Sequence, residues 1–205
     1  MQVGGRTLLA RAIETVEACP AVEAFVVTVP PGAEGDLAPS ARSEKLLSLV
    51  AGGRERQDSV EAGLAMIPSR FDVVVCHDVA RPFATPALYQ VVLHALERRV
   101  EGRTADGAVP LIPGPDTLKR VEDGIVLETL DRTRVLAAQT PQAFRRSALE
   151  EAHRLAREQG FEGTDDASLL ERAGFRVAAV PGEPLNFKIT KPEDLARAEA
   201  VSGRG

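Results

Sequence analysis

The chain has little with which to make a secreted, membrane-bound or nucleic-acid-binding protein. Only two cysteines occur among its 205 residues. Cys19 and Cys76 lie far apart in apolar contexts, which argues against a disulfide framework and fits a reduced, cytoplasmic setting. There is no basic-then-apolar leader and no apolar run of about 18 residues, so the sequence supports neither export nor a membrane span. Basic residues are not in excess: the formal net charge is -5 and the pI about 5.4. No nucleic-acid partner is expected of such a surface. The three histidines, His77, His94 and His153, have no ligand-like spacing, which argues against a zinc site. No Ser, Cys or Thr stands in a nucleophile-elbow context. What remains is Asp, Arg, Lys, Thr and backbone amides. That set suits phosphate handling beside a divalent metal better than covalent catalysis.

The apolar content, 44%, is enough for one globular domain over residues 1–205. Strand-like apolar runs at 24–29, 46–51, 73–77 and 107–112 alternate with helical stretches at 7–19, 58–67 and 86–100. In the second helix Asp58 reads as the cap, with Glu61 completing a capping box. Residues 32–43, rich in Gly, Pro, Ser and Asp, read as loop. The rhythm then breaks. Residues 117–121 and 125–129 flank Glu122-Asp123-Gly124 as a hairpin that projects as an arm over 117–130. It resumes with a strand at 135–139, a helix at 147–159, and a helix started by Asp165 or Asp166. Short strands at 175–180 and 187–189 follow, then a last helix capped by Thr190. Alternation of this kind predicts an α/β fold. Its sheet is mainly parallel and Rossmann-like, with helices on both faces.

The strongest candidate site is Cys76-His77-Asp78-Val79-Ala80-Arg81-Pro82, directly behind the apolar run 73–75. Open α/β sheets bind ligands past the carboxyl ends of their strands. There an Asp can hold a metal or a hydroxyl, and an Arg can fork onto a phosphate. The blander reading is a local Asp78–Arg81 pair that closes the loop. Gly52-Gly53 ahead of Arg54 and Ser59 joins a strand end to a helix start, where backbone can approach a flat ligand closely. An ordinary Gly-rich turn explains it equally well. Asp116 to Arg120, Asp131-Arg132 and Thr140-Pro141-Gln142 are weak signals in isolation. Thr164-Asp165-Asp166 reads as a helix cap or as two carboxylates for a cation. Lys188, between Phe187 and Ile189, is either an edge-strand lysine or a cation aimed into the site.

Taken in order, the segments GGRERQDSV (52–60), VCHDVARPF (75–83), PDTLKR (115–120), LDRTRV (130–135), QTPQAF (139–144), TDDASLLE (164–171) and NFKITKPEDL (186–195) resemble the 2-C-methyl-D-erythritol 4-phosphate cytidylyltransferases of the non-mevalonate isoprenoid pathway. The resemblance implies transfer of CMP from CTP to the polyol phosphate, with Mg²⁺ or another divalent cation bridging phosphate oxygens. Which residues would hold the metal is left open. Gly53, Arg54 and Ser59 fall where the family reads cytosine, and the backbone near Val79 where it meets ribose. Asp78, Arg81, Thr140 and Thr164 fall around the polyol phosphate. Lys188 matches the lysine that helps place the attacking phosphate, and Arg132 the residue that orients substrate from the neighbouring subunit. The arm 117–130 matches the family's dimerisation arm, which implies a homodimer. Related enzymes for ribitol 5-phosphate or another polyol phosphate share parts of the pattern, and a non-catalytic nucleotide-binding homologue is a further alternative. Arg54 stands where the family often has a small or acidic residue, and Val79 where it commonly has Ala. The family's opening PAAGxGxRxxxxxPK loop, which holds the triphosphate, has no counterpart in residues 1–205. Met1 to Gly5 align just after it, so the expectation is an N-terminally shortened chain, inactive as it stands.

Overall fold

The computed structural model describes residues 1–100 and 102–203. In chain order the elements are β1 (Gln2–Val3), β2 (Arg6–Thr7), α1 (Leu8–Glu17), β3 (Phe25–Val29), α2 (Glu34–Leu37), β4 (Leu46–Ala51), α3 (Arg56–Ala65), β5 (Val73–Cys76), α4 (Pro86–Ala95), β6 (Arg99–Val100), β7 (Arg103–Thr104), β8 (Gly107–Pro113), β9 (Lys119–Glu122), β10 (Ile125–Thr129), β11 (Leu136–Ala138), β12 (Gln142–Arg145), α5 (Arg146–Glu158), α6 (Asp166–Arg172), β13 (Val177–Pro181) and α7 (Pro192–Ser202).

The main sheet runs β11-β8-β12-β5, with β13 also paired to β8. β5, β8 and β13 share one direction, while β11 and β12 oppose it. β3 and β4 form a separate parallel pair. The result is the expected α/β architecture, with a mainly parallel set of strands covered by helices.

Alternation along the strands sorts the core into two layers. Val74 and Cys76 join Phe144, Val109 and the buried faces of α5 and α6. On the opposite face Ala108, Ala143 and Ala178 lie against Val92, Ala95 and Leu96 of α4 and the turn that follows it. Small residues there let α4 lie close to the sheet. The first layer is filled by large ones: Phe144, Leu149 and Leu170 have no exposed surface. Gly107 is required beside them, because a Cβ there would come within 2.8 Å of the Phe144 ring.

β5 pairs only with β12, and β3 only with β4, among the described residues. Between β3 and β5 lies a cavity of about 490 Å³, walled by Phe25, Val27, Val73 and Val75 with Ile13 and Tyr89.

Several boundaries differ from the sequence reading, each for a local reason. α3 starts at Arg56 rather than Asp58. Asp58 sits at the third helical position and its carboxylate accepts the Glu55 N–H at 3.1 Å, so the capping box lies one turn earlier. α4 stops at Ala95, short of residue 100, and Arg145 donates to the carbonyls of Leu96 and Ala105, both at 3.2 Å. That guanidinium thereby satisfies the carbonyl of Leu96, the residue that caps the helix. Residues 32–43 contain α2 and a 3-10 turn at Ala38–Ser40. The strand β12 follows Pro141 directly, where the sequence reading has only a strand exit. Residues 187–189 are extended without a ladder, held by one backbone bond, Ile189 N–H to Ala80 at 2.8 Å. α7 is capped from Lys191, with the Asp194 carboxylate accepting from Thr190 and Lys191.

The hairpin β9–β10 turns at Asp123 and Gly124, both with positive φ (48° and 78°). That pairing of angles belongs to the tight turns that match strand twist. Val121 and Val126 face each other across it and are 55% and 58% exposed.

Candidate active site

Asp78 is the node of the site. The chain leaves β5 at Cys76, and the Asp78 side chain stays largely buried, with 15% of its surface exposed. Its Oδ1 accepts from Arg56 Nε at 3.3 Å, and its Oδ2 lies 3.0 Å from Lys188 Nζ. Arg81 Nε stands farther off, at 4.0 Å. Burial alone would raise this carboxyl, but the Lys188 ammonium and the Arg56 guanidinium outweigh it and hold it below the usual carboxylate range. Asp78 is therefore an anion with a fixed direction.

The backbone around it is fixed as firmly. The Asp78 N–H donates to Thr140 Oγ1 at 3.0 Å, and the same hydroxyl lies 3.1 Å from His77 Nδ1. Burial lowers His77 to about 4, so near neutral pH its ring is uncharged, and the Thr140 hydroxyl joins the Asp78 N–H to that neutral ring. Gln139 donates to the carbonyls of Glu183 and Asn186 at 2.9 and 3.1 Å, and Asn186 donates back to the Thr140 carbonyl at 2.8 Å. This clamp holds the segment that carries Lys188 against the segment that carries Thr140. Phe187 and Ile189 turn into an apolar cluster with Val3 and Phe83, which leaves Lys188 on the opposite side, facing Asp78. The alternation expected of a strand survives without the ladder.

The structure thus brings Asp78, Arg81, Thr140 and Lys188 together. Arg81 also ties the fold: its Nη1 and Nη2 donate to the carbonyls of Asn186 and Ala138 at 2.9 and 3.2 Å. Thr164 is exposed at the entry to α6, next to Asp165, which accepts from Gln142 Nε2 at 2.8 Å. Val79 is partly buried against Leu9 and Ile13. Arg132 is exposed on the segment after the arm and meets none of these residues.

The loop after β4 is built differently. The Gly53 N–H donates to Ser59 Oγ at 3.1 Å, and that hydroxyl donates to Glu55 O at 3.1 Å. A Cβ on Gly53 would meet Asp58 Cβ at 2.1 Å. The Arg54 side chain is 92% exposed, with its Nε 3.4 Å from Glu55 Oε1. Sequence reasoning singled out Arg54 and passed over Arg56, two residues on, which turns inward to Asp78 and to Asp166. The signal was available: once Asp165 is the cap of α6, Asp166 is left to face inward and needs a cation.

A divalent cation fits these side chains poorly. Both Asp78 oxygens already face cations, and no cluster of three or more His, Cys, Asp or Glu residues suited to a metal occurs among the described residues.

Comparison with known proteins gives this arrangement a family. A family model described as 2-C-methyl-D-erythritol 4-phosphate cytidylyltransferase matches residues 1–204. A protein of that name from Geobacter metallireducens is 40% identical, with 97% of this chain and 86% of that protein aligned. A "Bifunctional enzyme IspD/IspF" from Anaeromyxobacter dehalogenans is 47% identical, covering 97% of this chain and 51% of its own length. The chain thus spans about half of that bifunctional relative. The solved 2-C-methyl-D-erythritol 4-phosphate cytidylyltransferase of Thermus thermophilus superposes with a TM-score of 0.80 at 37% identity, covering 98% of this chain and 91% of that one. A 4-diphosphocytidyl-2C-methyl-D-erythritol synthase structure from Anaerococcus prevotii superposes with a TM-score of 0.90 at 27% identity, covering 99% and 88%. The chain belongs to the 2-C-methyl-D-erythritol 4-phosphate cytidylyltransferase family.

Proposed function

We propose that this protein transfers CMP from CTP to 2-C-methyl-D-erythritol 4-phosphate, in non-mevalonate isoprenoid precursor synthesis. An oxygen of the acceptor phosphate attacks the α-phosphorus of CTP. The bond from that phosphorus to the bridging oxygen breaks, and pyrophosphate leaves with the electron pair. No protein nucleophile is required, so catalysis is positioning and charge neutralisation.

The observation that carries the reading is the fixed Asp78–Lys188 pair, 3.0 Å apart at the end of β5. Lys188, partly exposed, neutralises and aims the attacking phosphate, and Asp78 accepts from an acceptor hydroxyl. Arg81, Thr140 and Thr164 complete the acceptor side. Gly53, Arg54 and Ser59 form the cytosine side, and the Val79 backbone the ribose side. Arg54 contributes through its backbone, because its side chain points to solvent. A divalent cation would be held by the nucleotide phosphates rather than by these side chains, and would supply charge neutralisation there. The exposed Val121–Val126 pair supports a homodimer through the arm 117–130, with Arg132 brought to the neighbouring subunit's acceptor. Among the described residues no helix is long and apolar enough to cross a membrane, which accords with a cytoplasmic enzyme.

The test is pyrophosphate release from CTP plus methylerythritol phosphate. It is run on residues 1–205 and on the same chain joined to a PAAGxGxRxxxxxPK-type loop. Release that depends on methylerythritol phosphate supports the reading. Release with ribitol 5-phosphate alone moves the substrate to another polyol. Nucleotide binding without release in either form makes the chain a binding module.

A further inference from the structure

Behind the proposed acceptor site runs a chain of polar and charged contacts that the reaction as described does not use. Arg56 opens α3 and its guanidinium bridges two carboxylates: Nε lies 3.3 Å from Asp78 Oδ1 and Nη1 lies 2.8 Å from Asp166 Oδ2. Asp166 is almost wholly enclosed, with 1% of its side chain exposed. Its other oxygen lies 3.3 Å from His153 Nε2 on α5, and His153 Nδ1 lies 3.3 Å from Glu61 Oε1 on α3. Burial works against the charge on Asp166, but His153 and Arg56 more than offset it. Arg56 Nη1 meets Asp166 as a charge contact rather than an aligned hydrogen bond, since Asp166 Oδ2 has no hydrogen-bond partner of good geometry.

A buried carboxylate of this kind is costly unless it has a task or a partner. Here Arg56 is the cationic partner that also reaches Asp78. Arg56 alone could reach Asp78 in several rotamers, because a long flexible side chain loses much entropy when held. Asp166 removes that freedom by gripping the far end of the guanidinium. The Nε edge is then left pointing at Asp78 Oδ1, and Asp78 Oδ2 is left for Lys188.

We infer that Arg56 is a positioning residue for the Asp78–Lys188 pair, and that the buried Asp166–His153 contact holds Arg56 in that role. The inference rests on the functional reading above. It goes beyond it in assigning the site's precision to residues that touch neither substrate.

The test is a double-mutant cycle with the isosteric variants Asp166→Asn and Asp78→Asn, each in the full-length protein. Urea midpoints of the four proteins are measured alongside kcat and KM for each substrate. If Arg56 couples the two carboxylates, the midpoint shifts are non-additive. Asp166→Asn then lowers kcat/KM for the polyol phosphate about ten-fold with Asp78 present and less than about two-fold without it, while KM for CTP stays unchanged. A purely structural Asp166 gives the same factor in both backgrounds and moves both KM values together. That result, or additive midpoints, overturns the inference. If the unmutated protein shows no polyol-dependent release, it is the functional reading that fails, and the midpoints still decide whether Arg56 couples the two carboxylates.

Discussion

The loops after β4 and β5 are linked where Arg56, which follows the first, meets Asp78 of the second, but they present different groups. The β5 loop presents side chains, and its two charged groups are already held: Asp78 by Arg56 and Lys188, Arg81 by two carbonyls. The β4 loop presents backbone. Gly53 is pressed against Asp58, the Ser59 hydroxyl of α3 is turned back to Gly53 and Glu55, and the long side chain of Arg54 lies in solvent. The first loop is suited to fixing charge where charge develops. The second is suited to lying flat against a planar group. The two should therefore fail differently when altered.

The largest difference is expected at Lys188. If Lys188 aims the attacking phosphate as proposed, Lys188→Ala should lower kcat about 10²–10³-fold, as for loss of one well-placed charge-stabilising donor. Steady-state pyrophosphate release checks this. Gly53→Ala comes next. With Asp58 Cβ 2.1 Å from the new atom, backbone must shift, at a cost of about 1–3 kcal/mol. Calorimetric CTP binding should weaken while polyol-phosphate binding holds. An equal loss for both ligands would break the distinction between the loops.

His77 supplies a pH signature for the β5 loop alone. Its folded value of about 4 lies below its ordinary 6.5, so between those limits the unfolded chain binds a proton the native one refuses. Stability is complete above about pH 6.5 and is lost as pH falls toward 4, by about 1–3 kcal/mol. Asp78 and Asp166, both held below the ordinary carboxylate value of 3.8, lose their contributions only beneath that window. Urea unfolding from pH 7.5 to 4 should show the slope, and His77→Gln should remove it. The smallest effect is expected at Arg54: its exposed pair with Glu55 is of the kind worth about 0–1 kcal/mol. Arg54→Ala should therefore leave KM for CTP nearly unchanged, and a marked rise would bring its side chain into the base site.

Much of this was legible in the sequence. The run 73–75 leading into His77-Asp78 marks a candidate strand-end site, because open α/β sheets bind ligands past the carboxyl ends of their strands. Lys188 between Phe187 and Ile189 marks a side chain forced away from the core. The arm is legible from Glu122-Asp123-Gly124. The hidden part is what long-range packing decides. Nothing local says that Arg56 rather than Arg54 turns inward, since that depends on Asp166, more than a hundred residues later. Nothing local says that Gln139 and Asn186 clamp two loops together, because each reads as an ordinary polar residue at a strand end. The end of α4 is of the same kind: the carbonyl acceptor at Leu96 is satisfied by Arg145, on a strand that the sequence reading did not separate from its proline.

The central claim is that the Asp78–Lys188 pair is the acceptor side of a cytidylyl-transfer site, and Asp78→Asn tests it most directly. The variant keeps the shape of the residue and removes the charge that holds Lys188 at 3.0 Å. With CTP and methylerythritol phosphate both varied, the account predicts that KM for methylerythritol phosphate rises at least about ten-fold while KM for CTP stays put. Unchanged kinetics toward methylerythritol phosphate, or a loss confined to CTP, would contradict it.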